Sequence, residues 1–214
     1  MSYQYILFDL DGTITDSKQG ITNSVAYALK YLGISVENPD TLCKFIGPPL
    51  TESFKEYYNL SDIETETAIQ KYREYYSEKG IYENELYSEI IHLLEKLKQN
   101  GKKIILATSK PTIYAKKILE YFNLEQYFHF IAGSEMNLSR YKKEDVIRYA
   151  IEQNKIVDKV EVIMVGDRKH DIIGAKENEI ASVGVLYGYG GREELSGADF
   201  IVEKVADLIP VLIK

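Results

Sequence analysis

The chain has 214 residues, of which 45% are apolar, so it can bury a full hydrophobic core. Its formal net charge of -7, with acidic and basic residues interspersed, argues against a large surface for nucleic acid or for an anionic membrane. Its one cysteine, Cys43, cannot form an intramolecular disulfide and is expected to be a small buried residue. The apolar run at residues 5–8 is too short for a signal peptide or a membrane span, which predicts a cytoplasmic protein.

Three apolar runs rich in β-branched and aromatic residues, at 5–8, 103–107 and 160–165, predict buried parallel strands. Helical patterns separate these runs, for example over 89–99, where Asn100 and Gly101 provide a stop. This alternation predicts a doubly wound, Rossmann-like α/β fold with a parallel sheet. Because ligands bind beyond the carboxyl ends of the strands in such sheets, we expect the polar residues after the three runs to form one site.

The segment 16–84 differs from the rest, since it has helical periodicity and loop signals but no buried strand pattern. It predicts an inserted α-helical cap within a catalytic core made of residues 1–15 and 85–214. Long helices are predicted over 17–32 and 61–79, and the tyrosines of the second helix are expected to pack in the core. The loop Gly47-Pro48-Pro49 is either the part of the cap that reaches the substrate or a plain connector between helices.

Acidic residues follow two of the three predicted strands. Asp9 and Asp11 project to the same side if the extended conformation continues past residue 8, and Asp167 adds a third carboxylate from another strand end. A divalent cation would relieve their mutual repulsion, and Mg²⁺ is expected because all candidate ligands are oxygens. Asp171, four residues after Asp167, is expected to lie on the same helical face and to order a metal-bound water.

Such a site fits phosphoryl transfer. Asp9 is the predicted nucleophile, which would form an acyl phosphate, and Asp11 is the predicted general acid and then base. The hydroxyl of Thr108 and a lysine ammonium would bind the phosphoryl oxygens. The expected partner is therefore a small phosphorylated metabolite, with no nucleic acid and no membrane.

At these residues the chain resembles the haloacid dehalogenase (HAD) superfamily of phosphatases. The first motif is Asp9-Leu10-Asp11-Gly12-Thr13, the second is Thr108, the third is a downstream lysine, and the fourth runs from Gly166-Asp167 to Asp171. The insertion after the first motif resembles the small helical cap of the phosphoglycolate phosphatase-like subgroup, and Phe45–Leu50 resembles its cap loop. The resemblance implies that Asp9, the backbone carbonyl of Asp11 and Asp167 bind Mg²⁺, and that the cap closes over the substrate. The predicted phosphate-binding residues are Gly12, Thr108, Ser109 and Lys143.

The third motif departs from the family pattern, because Arg140-Tyr141-Lys142-Lys143 stands where a lysine-proline pair is common. Lys143 is the predicted phosphate ligand, since it lies just before a predicted helix over 144–153 with spacing that resembles a variant of the motif. Lys142 and Arg140 stay as alternatives.

Several features have plainer interpretations. Thr108-Ser109 could cap a helix as well as bind phosphate, and Lys110 could support the phosphate pocket or be a solvated charge. Gly188–Arg192 predicts a flexible turn without a catalytic role, and His170 is not expected to bind metal. Phosphoglycolate, nucleotides and sugar phosphates are all candidate substrates, and the chain is expected to be a monomer or weak homodimer. A phosphoglucomutase-type mutase and a non-catalytic regulator that binds a phosphorylated metabolite are the alternative functions.

Overall fold

The computed structural model describes residues 3–137 and 139–213, and the chain divides into two compact units. The first unit consists of Met1–Asp16 and Leu86–Lys214, and the second consists of Ser17–Glu85. The second unit corresponds to the insertion expected at residues 16–84, whose role as a cap stays a prediction. Two short strands, Thr15–Asp16 and Glu85–Leu86, lie where the chain passes from one unit to the other.

The first unit is built on a six-stranded parallel sheet. The strands are β1 (Tyr5–Phe8), β2 (Lys103–Pro111), β3 (Phe128–Ser134), β4 (Val162–Gly166), β5 (Ala181–Val185) and β6 (Phe200–Val202). Their order in the sheet is β3-β2-β1-β4-β5-β6. This order places β1 at the centre, with the chain winding first to one side and then to the other, so the predicted doubly wound fold is confirmed.

The α-helices of the described residues are α1 (Lys18–Tyr31), α2 (Leu50–Tyr58), α3 (Asp62–Tyr75), α4 (Ile90–Gln99), α5 (Thr112–Tyr121), α6 (Lys143–Gln153), α7 (Lys169–Glu177) and α8 (Ile209–Leu212). Short 3-10 turns occupy Pro39–Phe45, Glu125–Tyr127, Lys159–Glu161 and Val205–Leu208, and one π turn occupies Tyr76–Gly80.

The central strands are buried on both faces, as parallel strands covered by helices must be. Leu7, Ile105 and Met164 belong to one core cluster with residues of α6 and α7, while their neighbours along the strands, Ile6 and Ile104 among them, are equally buried. Each such side chain stabilises the fold by about 1.5–3 kcal/mol when it is removed from water. The packing fixes the carboxyl ends of β1, β2 and β4 side by side.

Two predicted strand bounds were wrong. The strand expected at 160–165 begins at Val162, because the side chain of Asp158 accepts a hydrogen bond from the amide of Val160 and caps a 3-10 turn instead. The strand expected to end at residue 107 continues to Pro111, where it pairs with Ser134 of β3 after a register shift. The polar residues 108–110 therefore lie on an extended strand and not at a helix start.

The second unit contains α1, α2, α3 and the π turn. The side chain of Ser61 accepts a hydrogen bond from the amide of Glu64, and Glu64 accepts one from the amide of Ser61, so a capping box begins α3. Of the three tyrosines expected to pack in the core, Tyr72 and Tyr76 are buried and stack with ring centroids 5.3 Å apart. Tyr75 is only partly buried, and its hydroxyl donates to Glu83 at 3.0 Å. Cys43 is partly exposed, so the expectation that it is buried was wrong. Within the described parts of the chain, every helix is too short or too polar to cross a membrane.

The glycines Gly20 and Gly80 allow α1 and the π turn to approach each other closely. A Cβ atom at Gly20 would overlap the carbonyl oxygen of Gly80 and would lie 2.9 Å from that of Glu83. The amide of Gly20 also donates to the carbonyl of Glu83 at 2.9 Å. The second unit therefore requires a residue without a side chain at position 20.

We expect Gly20→Ala to destabilise the chain by about 1–3 kcal/mol, because an added methyl group in this packed contact forces the backbone apart. The sign of the stability change is informative, because replacing glycine by alanine inside a helix normally stabilises the helix by about 0.5–1 kcal/mol. Urea unfolding followed by circular dichroism measures the change. Gly197→Ala is the control, because its added Cβ would be 3.6 Å from the nearest atom. A higher urea midpoint for Gly20→Ala than for the unaltered protein would contradict the close contact between α1 and the π turn.

Candidate active site

Three of the predicted acidic residues meet at the carboxyl ends of neighbouring strands. Asp9 follows β1, Asp167 follows β4, and Asp171 lies in the first turn of α7. Each offers a carboxylate oxygen within 4.8 Å of the others, and all three are buried. The site lies between β1 and β4, where the winding of the sheet reverses, which is the usual position of ligand sites in this fold class.

A buried lysine joins two of these carboxylates. The Nζ atom of Lys143, the first residue of α6, is 2.7 Å from Oδ1 of Asp9 and 2.9 Å from Oδ1 of Asp171. It also donates to the carbonyl of Ala107 on β2 at 3.0 Å. Burial lowers the pKa of Lys143, but the charges of Asp171 and Asp9 outweigh it, so the pKa is raised and the ammonium stays charged.

The acidic group fits a divalent cation. Burial, with the charges of Asp171 and Asp9, raises the pKa of Asp167 well above its usual range. Burial also raises the pKa of Asp171 to about 6 in spite of Lys143. The Oδ1 atom of Asp167 is buried and has no hydrogen-bond partner among the described residues. A buried, unsatisfied carboxylate oxygen beside two further carboxylates is the donor set of a hard metal ion.

Asp11 lies outside this acidic group and has its own cation. Its Oδ2 atom is 2.9 Å from Nζ of Lys110, and both side chains are buried. The interpretation of Lys110 as a solvated charge was therefore wrong. The Oδ1 atom of Asp11 has no hydrogen-bond partner among the described residues. Lys110 thus holds one oxygen of this carboxylate and leaves the other available.

The remaining predicted phosphate ligands adjoin the Asp11–Lys110 pair in sequence: Gly12 follows Asp11, and Thr108 and Ser109 precede Lys110. Thr108 is buried on β2, and its Oγ1 atom accepts the amide of Lys110 at 3.2 Å. The carbonyl of Ser109 accepts the hydroxyl of Ser134 at 2.7 Å, which fastens this end of β2 to β3. Gly12 has φ of +83°, a conformation that favours glycine, and an added Cβ there would overlap Oδ2 of Asp167.

The structure separates the three cations considered for the third motif. The guanidinium of Arg140 binds Glu135 and the carbonyl of Gly133, and it lies 3.7 Å from the ring centroid of Tyr149. Lys142 is exposed. Lys143 is the one of the three that contacts Asp9, although its role toward phosphate stays a prediction.

Sequence reasoning missed the loop that follows β5. Residues 188–192 were expected to be a flexible turn, yet the amide of Tyr189 donates to Oδ2 of Asp167 at 2.8 Å. The sequence signal available for this contact was Gly188-Tyr189-Gly190, an aromatic residue with one glycine on each side shortly after β5, the strand next to β4. His170 is partly buried, and burial with the charges of Lys169 and Arg168 lowers its pKa. It is not part of the acidic group.

Comparisons with known proteins agree with this fold. The model of the haloacid dehalogenase-like hydrolase family matches residues 6–185, so the chain belongs to that family. A crystal structure of a predicted phosphatase from Clostridium acetobutylicum superposes with a TM-score of 0.97 at 47% identity, covering 100% of this chain and 99% of that one.

Three curated relatives carry different names. A 5'-nucleotidase of Pseudomonas aeruginosa is 40% identical over 91% of this chain and 88% of its own length. Tyrosine-protein kinase PtkA of Mycobacterium tuberculosis is 40% identical over 94% of this chain, which spans 66% of that protein. A phosphoglycolate phosphatase of Vibrio parahaemolyticus is 28% identical over 97% of this chain and 95% of its own length. The predicted resemblance is confirmed, and the chain is an enzyme of the HAD phosphatase class.

We expect Lys143→Met to lower kcat by about 10²–10³-fold, because two buried carboxylates lose their counterion and the predicted donor to the phosphoryl group is lost. The matched control Lys142→Met removes an exposed ammonium one residue away and should change kcat by less than about twofold. Phosphate release gives the rates, and thermal unfolding separates loss of activity from loss of fold. A larger loss in Lys142→Met would transfer the role to Lys142.

Proposed function

We propose that this chain is a Mg²⁺-dependent phosphatase that hydrolyses small phosphorylated metabolites through an aspartyl-phosphate on Asp9. One observation carries the proposal: three buried carboxylates from different elements meet beside a buried ammonium at the switch point of the sheet. A metabolite phosphate needs both a nucleophile and positive charge at one place, and this arrangement supplies them.

The cation site would use Asp9, Asp167 and the backbone carbonyl of Asp11, with Asp171 close to them. The acidic group of Asp9, Asp167 and Asp171 supports this set, and the carbonyl of Asp11 follows from the family resemblance. When bound, Mg²⁺ would neutralise carboxylate and phosphoryl charge. Lys143 would keep the carboxylates of Asp9 and Asp171 in place, because its ammonium contacts both.

The first step transfers the phosphoryl group to the enzyme. A carboxylate oxygen of Asp9 attacks phosphorus in line, the bond from phosphorus to the ester oxygen breaks, and Asp11 donates a proton to the leaving alkoxide. The Thr108 hydroxyl and the Lys143 ammonium would bind the equatorial oxygens as their charge changes.

The second step returns the enzyme to its starting state. Asp11 takes a proton from water, the resulting hydroxide oxygen attacks phosphorus, and the acyl phosphate bond breaks to release inorganic phosphate and the Asp9 carboxylate. Lys110 would orient Asp11 in both steps, because it holds Oδ2 while Oδ1 has no hydrogen-bond partner among the described residues.

The names of the relatives guide the choice of substrate. The 40% identity to a 5'-nucleotidase supports nucleoside monophosphates as the first substrates to test, and the 28% identity to a phosphoglycolate phosphatase supports phosphoglycolate as the second. Sugar phosphates complete the panel. The second unit is proposed as the cap, with residues 47–49 as its substrate loop, since Gly47 has φ of +99° and Pro49 directly precedes α2. A cytoplasmic location and a monomeric or weakly dimeric state stay predictions.

A second candidate is phosphoryl transfer to a protein tyrosine, which the name of the 40% identical relative PtkA brings forward. The same aspartate chemistry could pass a phosphoryl group to a phenol in place of water. Incubation with γ-labelled ATP and a tyrosine-containing protein tests the kinase, and incubation with a labelled phosphate monoester and an unlabelled sugar phosphate tests the other functions. Label transferred from ATP to phosphotyrosine favours the kinase, and label released from the monoester as inorganic phosphate favours the phosphatase. Label transferred from the monoester to the sugar phosphate would favour a mutase.

We expect inorganic phosphate to be released from at least one member of the substrate panel, to stop with EDTA and to resume with Mg²⁺. Asp9→Asn should lower turnover by at least about 10³-fold, because an amide cannot act as the nucleophile. Wild-type protein quenched in acid during turnover should carry phosphate on Asp9, detected by mass spectrometry after digestion. Steady hydrolysis by Asp9→Asn, or full activity after thorough chelation, would contradict this mechanism.

The acid role of Asp11 predicts a dependence on the leaving group. Asp11→Asn should lower kcat by about 10²–10⁴-fold on an alkyl phosphate but by much less on p-nitrophenyl phosphate, whose phenolate leaves without a proton. Lys110→Met should likewise lower kcat more on the alkyl phosphate than on p-nitrophenyl phosphate. In the double variant with Asp11→Asn, it should have little further effect on either rate. Equal losses on both substrates would remove Asp11 as the acid.

A further inference from the structure

The chain after β5 contacts one member of the acidic group, Asp167. We call residues Tyr187–Gly190 the strap. Within it, the amide of Tyr189 donates to Oδ2 of Asp167 at 2.8 Å. Oδ1 of the same carboxylate is buried and has no hydrogen-bond partner among the described residues. The two oxygens of Asp167 are therefore not equivalent.

Glycines make this contact possible on both sides of the amide. A Cβ atom at Gly188 would overlap the carbonyl of Gly12 and the Cβ of Asp167, and one at Gly190 would overlap the carbonyl of Asp167. Neither glycine has a positive φ, so their role is to leave space and not to permit an unusual backbone conformation. The strap could not lie this close to Asp167 with any larger residue at these positions.

Side chains fasten the strap to the loop that follows β1. The hydroxyl of Tyr187 donates to the carbonyl of Thr13 at 3.0 Å, and its ring packs edge-on against Tyr87 with centroids 4.9 Å apart. The hydroxyl of Tyr189 donates to the carboxylate of Asp16. Burial, followed by the charge of Asp167, raises the pKa of Tyr187, so its hydroxyl remains a donor.

A salt bridge holds the chain just beyond the strap. One oxygen of Glu194 accepts from Nε of Arg168 and from the amide of Lys169, both at 2.9 Å. Arg168 directly follows Asp167. The chain on either side of Tyr189 is thus tied to both loops that carry the acidic residues.

We propose that the strap is a positioning element that determines the affinity and the selectivity of the cation site. It occupies Oδ2 of Asp167 and leaves Oδ1 as the oxygen that can bind a cation. This inference rests on the metal site of the proposed function. Hydrogen bonds that orient a metal-binding carboxylate typically change metal affinity by about 10–100-fold when they are lost.

Selectivity follows from the same restriction. Ca²⁺ commonly takes both oxygens of a carboxylate in sites with six to eight ligands, whereas Mg²⁺ requires compact octahedral coordination. A carboxylate with one oxygen already held by a backbone amide is less able to bind through both oxygens. The strap should therefore disfavour Ca²⁺ relative to Mg²⁺ and Mn²⁺.

Gly188→Ala tests the proposal, and Gly191→Ala is its control. Both change glycine to alanine in the same loop, but a Cβ at Gly191 would have no atom within 4 Å. Mn²⁺ alone is titrated into the full chain, with free Mn²⁺ followed by electron paramagnetic resonance and with Mg²⁺ and Ca²⁺ as competitors. We expect Gly188→Ala to raise the Kd for Mn²⁺ by about tenfold or more and Gly191→Ala to change it by less than about twofold. Gly188→Ala should also shift the competition toward Ca²⁺.

The outcomes separate the strap from the site that it serves. If the unaltered protein binds no Mn²⁺, the metal site is wrong and the strap proposal fails with it. If the unaltered protein binds Mn²⁺ and the two alanine variants bind it equally, the metal site stands and the strap proposal is overturned. Thermal unfolding without metal verifies that Gly188→Ala folds. If it does not fold, Tyr189→Phe, which adds no atoms and removes the bond to Asp16, replaces it, and an unchanged Kd in that variant also overturns the proposal.

Discussion

The rest of the site depends on the contacts that the buried ammonium of Lys143 makes with Asp9 and Asp171. A lysine that is 4% exposed is stable only if opposite charges and acceptors surround it. Its partners come from three separate elements: Asp9 after β1, Asp171 on α7 and the carbonyl of Ala107 on β2. The first residue of α6 is therefore fixed over the sheet, and Val146 and Ile147 of the same helix are fully buried in the core beneath it. Packing and charge specify the same position.

The charges of the site support the proposed cation as a partner of the two lysines. Asp9, Asp11, Asp167 and Asp171 face Lys110 and Lys143, so the formal charge is two units negative when all six groups are ionised. A phosphate dianion would be repelled by that charge in a buried site, where the dielectric screening of water is weak. One divalent cation brings the formal charge to zero and leaves both lysines in place. The two lysines thus offset half of the formal charge of the four carboxylates, and the proposed cation would offset the other half.

Much of this arrangement could be predicted from local sequence. The first strand, the helix Ile90–Gln99 and the acidic residues at strand ends were readable because periodicity and spacing report directly on them. The extension of β2 to Pro111 could not be read, because it depends on pairing with Ser134 of β3 and on the hydroxyl of that serine. The buried state of Lys110 was also hidden, since its partner Asp11 is 99 positions away in sequence. Long-range pairing, and not local propensity, decided both cases.

The positions of the glycines explain how the backbone approaches the carboxylates, which the pattern of charged residues does not explain. A Cβ at Gly166 would overlap the carboxylate of Asp171, and one at Gly12 would overlap that of Asp167. The strap glycines exclude side chains from the other side of Asp167. The backbone can then approach the carboxylates closely enough for the amides of Tyr189 and Arg168 to donate to them, at 2.8 and 3.0 Å. A backbone amide that holds one carboxylate oxygen fixes the direction of the other oxygen, which contacts Lys143 in Asp171 and has no hydrogen-bond partner among the described residues in Asp167. In this family member, the residues that lack side chains therefore set the geometry of the residues that act.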